Sequence, residues 1–280
     1  MRQYAYRQRQ SGLTLVELMV ALVIGLIVVA ATAVVFSRSS AIGRNQDQNA
    51  LMQENARYVF TVLDRALRQA AYAPSNAPLA SAPVTVSNLN AYSDTLTVRY
   101  AVGAVAASGG AVQASMQDCS GETAPAGSVI TNTFRVAVSN QQRRLVCESS
   151  LVPASTTDPI VIAENVEAFR VMVGRARGQV DLSDVDPSLC TLSAYQTTAA
   201  SPTLTTPVVA LKVGLVLRSD DVIPAAYRNA PTTFAPFGTT ASGVVQLTTA
   251  NLAPASGSYD ARYLRRVYNT VFHLRNLCWR

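Results

Sequence analysis

Gly12–Phe36 reads GLTLVELMVALVIGLIVVAATAVVF, and the 19 residues from Leu18 to Phe36 carry no charge. At the rise of an α-helix such a run spans roughly 28 Å, about one hydrocarbon core. Ahead of it MRQYAYRQRQSG holds Arg2, Arg7 and Arg9 and no acid, an asymmetry that predicts a cytoplasmic N-terminus. Arg38 and Arg44 follow the run and keep that bias modest. Ala31-Thr32-Ala33 also has the form of a signal-peptidase site, and cutting there would release a soluble periplasmic protein that starts at Val34. Glu17 argues against that reading, because an ionised group in the bilayer centre costs about 2.5–3.5 kcal/mol, less near an edge, and marks a function with a partner.

The helix is expected to continue beyond the apolar run. No proline occurs from Leu13 to Ala73. In ENARYVFTVLDRALRQAAY (54–72), Val59, Val62, Leu63, Ala66, Leu67 and Ala70 recur at three- and four-residue steps, one face of a helix. Asp64 and Arg68 form an i,i+4 pair on another face. A helix from Leu13 to Tyr72 would be about 60 residues, near 90 Å. Gly25 and Gly43 are its weak points, each costing about 1 kcal/mol against alanine.

Beyond it the period changes. Pro74–Asn90, rich in Pro, Ser and Ala, reads as a loop. Strands are predicted over Asp94–Tyr100, Val129–Val138, Arg143–Cys147, Ile160–Val173, Val208–Leu217 and Arg266–Leu274. Ser139-Asn140-Gln141-Gln142 is a hairpin signal between the second and third. Gly103–Ser115, Thr197–Pro207 and Ala230–Gly257 read as loops decorating a sheet. The fold class is α+β: a long N-terminal helix, hydrophobic in its first half, packed on a mainly antiparallel β-sheet head.

The chain has 280 residues, 49% hydrophobic and 14% charged, too apolar for a disordered chain. Of its 23 basic residues only Lys212 is a lysine, and the net charge is +6. Without the first twelve residues 20 basic residues face 17 acidic ones, leaving +3, so charge alone makes no case for nucleic acid. The four cysteines, Cys119, Cys147, Cys190 and Cys278, allow three pairings. Cys119–Cys147 is favoured because it would staple the strand pair between them, with a contribution on the order of 3 kcal/mol; Cys190–Cys278 then follows by elimination. The cysteines lack the CxxC spacing of a zinc site.

Nothing points to an enzyme, a cofactor or a metal. The single histidine, His273, lies in a predicted strand. Lys212 beside a serine could form a Ser–Lys dyad, but a lysine on the solvent face of a strand fits better. Asp181, Asp184 and Asp186 could offer oxygens to calcium, without EF-hand spacing. Arg262, Tyr263, Arg265, Arg266 and Tyr268 could meet DNA, but a sheet edge with solvated arginines accounts for them more simply.

Gly12-Leu13-Thr14-Leu15-Val16-Glu17 resembles the processing site of type IV prepilins. The resemblance implies that a membrane prepilin peptidase cuts between Gly12 and Leu13, that Leu13 is then N-methylated, and that the apolar helix is kept. Family members more often have phenylalanine where this chain has Leu13. The new ammonium would meet Glu17 of a neighbouring subunit; two unit charges at 4 Å gain about 4 kcal/mol at an effective dielectric near 20, before desolvation. That contact would set the register of assembly. ENARYVFTVLDRALRQAAY, DTLTVRY, the Cys119–Cys147 region, VIAENVEAFRVMVG, ALKVGLVLRSDD and RYLRRVYNTVFHLRN also resemble minor pilins of the PilW family.

The resemblance implies a low-abundance subunit that primes filament assembly near the tip, with roles in twitching motility, adhesion and DNA uptake. Its implied partners are other minor and major pilins, the peptidase and an inner-membrane assembly platform. The expected organisation is a leader (1–12), a transmembrane and filament-core helix (13–37), its amphipathic continuation (38–73) and a β-rich head (74–280). The N-terminus would be cytoplasmic and the head periplasmic, then at the cell surface. The alternatives are a minor pseudopilin of type II secretion, and a Sec-exported periplasmic enzyme or binding protein.

Overall fold

The computed structural model describes residues 12, 14–73, 79, 82–103, 116–151, 159–176, 191–196, 208–223, 231–238, 246–253 and 259–274. The chain divides into two units, Met1–Asp47 and Gln48–Arg280. Helix α1 (Leu15–Gln69) runs 55 residues with Gly25 and Gly43 inside it. It ends three residues earlier than the periodicity predicts. Ala71 turns into the left-handed region (φ 64°), a conformation that closes helices. The chain there joins a strand instead: the Ala71 N–H donates to the Arg99 carbonyl at 3.1 Å, and the Ala101 N–H to the Tyr72 carbonyl at 2.8 Å.

Within the second unit α1 buries one stripe, Met52, Ala56, Val59, Leu63, Ala66 and Leu67, and Ala70 just past its end is buried with it. Val59 and Leu63 are 0% exposed, and each such side chain contributes about 1.5–3 kcal/mol. Val62, placed on this face by its spacing, is half-buried at the rim. The stripe forms one hydrophobic cluster with side chains from two sheets.

The first sheet has the order β1-β2-β3-β4-β5, every neighbour antiparallel: β1 Val84–Asn88, β2 Asp94–Ala101, β3 Val129–Ser139, β4 Gln142–Ser149 and β5 Ile160–Glu164. The expected hairpin turn is present between β3 and β4, with Asn140 and Gln141 both at positive φ, as a two-residue primed turn requires. Strand β1 corrects the reading of 74–90 as loop throughout. Its Val84-Thr85-Val86 core is β-branched and pairs with β2 as an edge strand, a signal masked by the surrounding Pro, Ser and Ala.

The second sheet has the order β11-β8-β6-β7, again antiparallel: β6 Val166–Ala176, β7 Leu192–Gln196, β8 Val208–Val222 and β11 Tyr263–His273. The stretch 160–173 is therefore two strands in two sheets. Asn165, at φ 56°, breaks it and hands the chain across. Both faces of β6 and β8 are buried. Leu211, Val213, Leu215 and Leu217 face the helix side. The other side is covered by residues 231–238 and 246–253, read from sequence as decoration, which carry β9 (Thr233–Phe234), β10 (Leu247–Thr248) and α2 (Thr249–Leu252). Phe234, Leu247 and Leu252 pack there on Ala168 and Val216. Gly214 is required by this cover, since a Cβ there would lie 2.5 Å from Pro236.

A buried polar knot joins the sheets. Asp94, at the start of β2, pairs with Arg170 of β6 at 3.2 Å and accepts the Val171 N–H at 2.8 Å. Arg170 also donates to the Asn90 carbonyl at 3.1 Å, and the Ser93 hydroxyl accepts the Val136 N–H at 3.0 Å. Burial pushes the Asp94 carboxyl up from 3.8 to about 6, against the pull of Arg170 and the Val171 N–H. An acid raised in the folded state contributes stability that is fully present below 3.8 and is lost as pH rises through about 6. Arg170→Met, which leaves Asp94 unpaired, is expected to cost about 3–5 kcal/mol near pH 7. Part of that loss should return near pH 5 as Asp94 takes up a proton. Urea unfolding of the detergent-solubilised protein at both pH values measures it, and a loss independent of pH would contradict the assignment.

Candidate functional site

The start of α1 is built locally. Thr14 precedes the helix, its hydroxyl oxygen accepting the Glu17 N–H at 3.2 Å and its carbonyl accepting the Leu18 N–H at 3.2 Å. Thr14-x-x-Glu17 thus places a cap and an acid in the first turn, where the helix dipole favours negative charge. Glu17 is exposed, as is Gly12, which has nothing within 4 Å of the position a Cβ would take. Leu13 lies outside the described residues.

From Leu15 to Phe36 every residue is exposed, with a mean hydropathy of 3.0 over an 18-residue window. The hydroxyls in and just after this run bond to their own helix, Thr32 to the Val29 carbonyl at 2.9 Å and Ser37 to the Val34 carbonyl at 3.0 Å. No lone side-chain donor is thereby shown to an apolar neighbour. The arrangement suits a segment that is buried by something other than this chain's own core, such as a bilayer.

Cys119 and Cys147 are bonded, with 6.4 Å between their Cα atoms. The bridge ties the loop before β3 to β4, and the Cys119 N–H reaches the Asn132 side chain at 3.4 Å. Cys190, Cys278, Asp181, Asp184 and Asp186 lie outside the described residues. Among the described residues no three His, Cys, Asp or Glu side chains gather as metal ligands. His273 is exposed at the end of β11. Lys212 is not on an open face as expected: it lies over the Phe237 ring at 5.8 Å, 3.5 Å from the Phe237 carbonyl, because the segment 231–238 crosses that side. Arg265 also departs from the solvated reading. It is 7% exposed and grips Glu167 at 2.6 and 2.9 Å. Its signal was Glu167 itself, one of two charges, with Arg170, in the mainly apolar VEAFRVMVG.

Two family models match. One, a prokaryotic N-terminal methylation motif, covers residues 7–33 and so takes in Gly12, Glu17 and most of the apolar run. The other, type IV pilus-assembly protein W, covers residues 133–276, just over half of the chain, from β3 to the end of β11. The chain belongs to the PilW family. This PilW-family protein is a type IV pilus minor pilin carrying a prepilin signal, and the family points to a structural rather than a catalytic protein. A solved structure of a type IV-like pilin from Thermus thermophilus aligns with 81% of this chain and 97% of that one, at 17% identity and a TM-score of 0.44. No curated protein matches in sequence.

Replacing Cys119 and Cys147 together by serine is expected to lower unfolding stability by about 3 kcal/mol, from loss of a closed loop of 28 residues. The reductant dependence of the wild-type midpoint provides the check, since an intact bridge makes wild type in reductant resemble the double variant.

Proposed function

We propose that this minor pilin is cut between Gly12 and Leu13 by prepilin peptidase, methylated at Leu13, and retained in the inner membrane by the helix of 13–37. Residues 1–12 then act as the leader, 38–73 as the amphipathic continuation and 74–280 as the head, with the N-terminus cytoplasmic and the head periplasmic before assembly. Leaving the membrane, it joins other minor and major pilins on the inner-membrane assembly platform, initiates the filament and stays near the tip, supporting twitching, adhesion and DNA uptake.

The observation that carries this reading is Glu17, an exposed acid in the first turn of a capped helix whose next 19 residues have no charge. In hydrocarbon that carboxylate needs a counter-charge, and cleavage after Gly12 creates one four residues away in sequence, on the Leu13 amine. The neighbouring subunit's amine neutralises Glu17 only at one axial offset between helices, so charge pairing selects the offset.

Mass spectrometry of the purified protein should find methylated Leu13 at the amino terminus; an intact Met1, or a start at Val34, would refute the assignment. Glu17→Val is expected to leave cleavage intact and to cut recovery of the subunit in sheared filaments by about tenfold, the factor that 1.4 kcal/mol of lost pairing produces. A deletion strain that keeps its pili and twitching but fails in protein export would place the subunit in a type II secretion system.

A further inference from the structure

A cleft of about 310 Å3 opens in the second unit beside the β3–β4 turn and Asn165. Among the described residues its charged lining consists of Arg143, Arg218, Arg265, Glu167 and Asp260, three guanidiniums against two carboxylates.

Most of these groups are committed. Arg265 holds both Glu167 oxygens and donates to the Asp260 carbonyl at 2.6 Å, its guanidinium lying 4.2 Å from the Tyr259 ring centre. Arg143 is 8% exposed, stacks on Tyr92 at 3.7 Å and donates to the carbonyls of Glu167, Asn251 and Ala253. The Asp260 carboxylate is taken by Arg262 at 2.8 Å, which holds it down at about 2.

Arg218 differs. It makes a single side-chain hydrogen bond, Nη2 to the Asn165 Oδ1 at 2.7 Å, of the five N–H groups a guanidinium carries. Its Nε is shut off from water and has no partner. Among the described residues the carboxylate that approaches it is Glu167, whose Oε1 is 4.0 Å from that Nε, beyond hydrogen-bond reach. The guanidinium lies over the Tyr263 ring, 4.4 Å from its centre, and a fifth of the side chain (20%) stays open to solvent.

A stacked arginine with spare donors, in a cleft with one positive charge in excess, has the makings of an oxyanion site. We propose that the cleft binds a carboxylate through Arg218. A carboxylate matches both the excess charge and the planar fork, whereas a phosphate dianion would meet the Glu167 wall with a second charge uncompensated. The carboxylate comes from an acidic side chain of a neighbouring protein or from a free small acid.

The Arg218 Nε–Hε resonance of the 15N-labelled full chain in detergent reports on the site. It is assigned by its absence in Arg218→Lys, with Arg218→Gln as a second assignment variant. The titrants at fixed ionic strength are acetate, inorganic phosphate, a capped Ala-Glu-Ala peptide and its Gln counterpart, with sodium chloride as control. A saturable shift with acetate and the Glu peptide, absent with the Gln peptide and chloride and weaker with phosphate, is expected. A Glu peptide binding about tenfold tighter than acetate, about 1.4 kcal/mol, assigns the carboxylate to a protein partner, and equal binding assigns it to a free acid. The proposal is overturned if no titrant shifts this resonance saturably, if phosphate binds as well as acetate, or if chloride gives the same response.

Discussion

The second unit depends on one stripe of α1. Met52, Ala56, Val59, Leu63, Ala66 and Leu67 sit where two separate sheets turn their apolar faces inward, and a single cluster joins helix, first sheet and second sheet. Neither sheet could bury its inner face without that helix, because a sheet with an apolar face must cover it with another layer. Packing at the far end is specific as well: Phe60 meets Phe272 edge to face at 6.3 Å, tying the helix to the last strand. Gln48 completes the attachment, its side-chain oxygen accepting the backbone N–H of Asp220 and Asp221 while its amide donates to the Asp221 carboxylate.

Where the sheets meet each other, polar groups take over from apolar ones. The buried Asp94–Arg170 knot links the two sheets there, while the Glu167–Arg265 pair, also buried and also on β6, ties β6 to β11 within the second sheet. Buried ion pairs add little stability compared with well-packed apolar groups of the same size, but losing one partner is costly. They act here as alignment devices, since Asp94 also takes the Val171 backbone N–H and so fixes β2 against β6 at one position.

What the sequence made legible was local. The apolar run, the Thr14-to-Glu17 spacing, the helical stripe and the turn at Asn140–Gln141 are all set by residues within a few positions of one another. The division into two sheets was hidden because Asn165 interrupts 160–173 without disturbing its apolar pattern, and only its left-handed backbone separates β5 from β6. The cover formed by 231–238 and 246–253 was hidden in small residues, since two-residue strands leave no period to read. The arginine cleft was out of reach for a different reason. Arg143, Glu167, Arg218 and Arg265 come from four strands and meet only once the pairing of β11, β8 and β6 is known.

Asn165 carries a consequence for how such chains can change length over time. Because β6 is buried on both faces, adding or deleting one residue between Glu164 and Val166 would exchange its two sides, presenting large side chains to the space sized for Ala168 and breaking the meeting of Arg170 with Asp94. Insertions are therefore confined to positions outside this junction, and the crossover from one sheet to the other behaves as a fixed ruler within an otherwise length-tolerant scaffold.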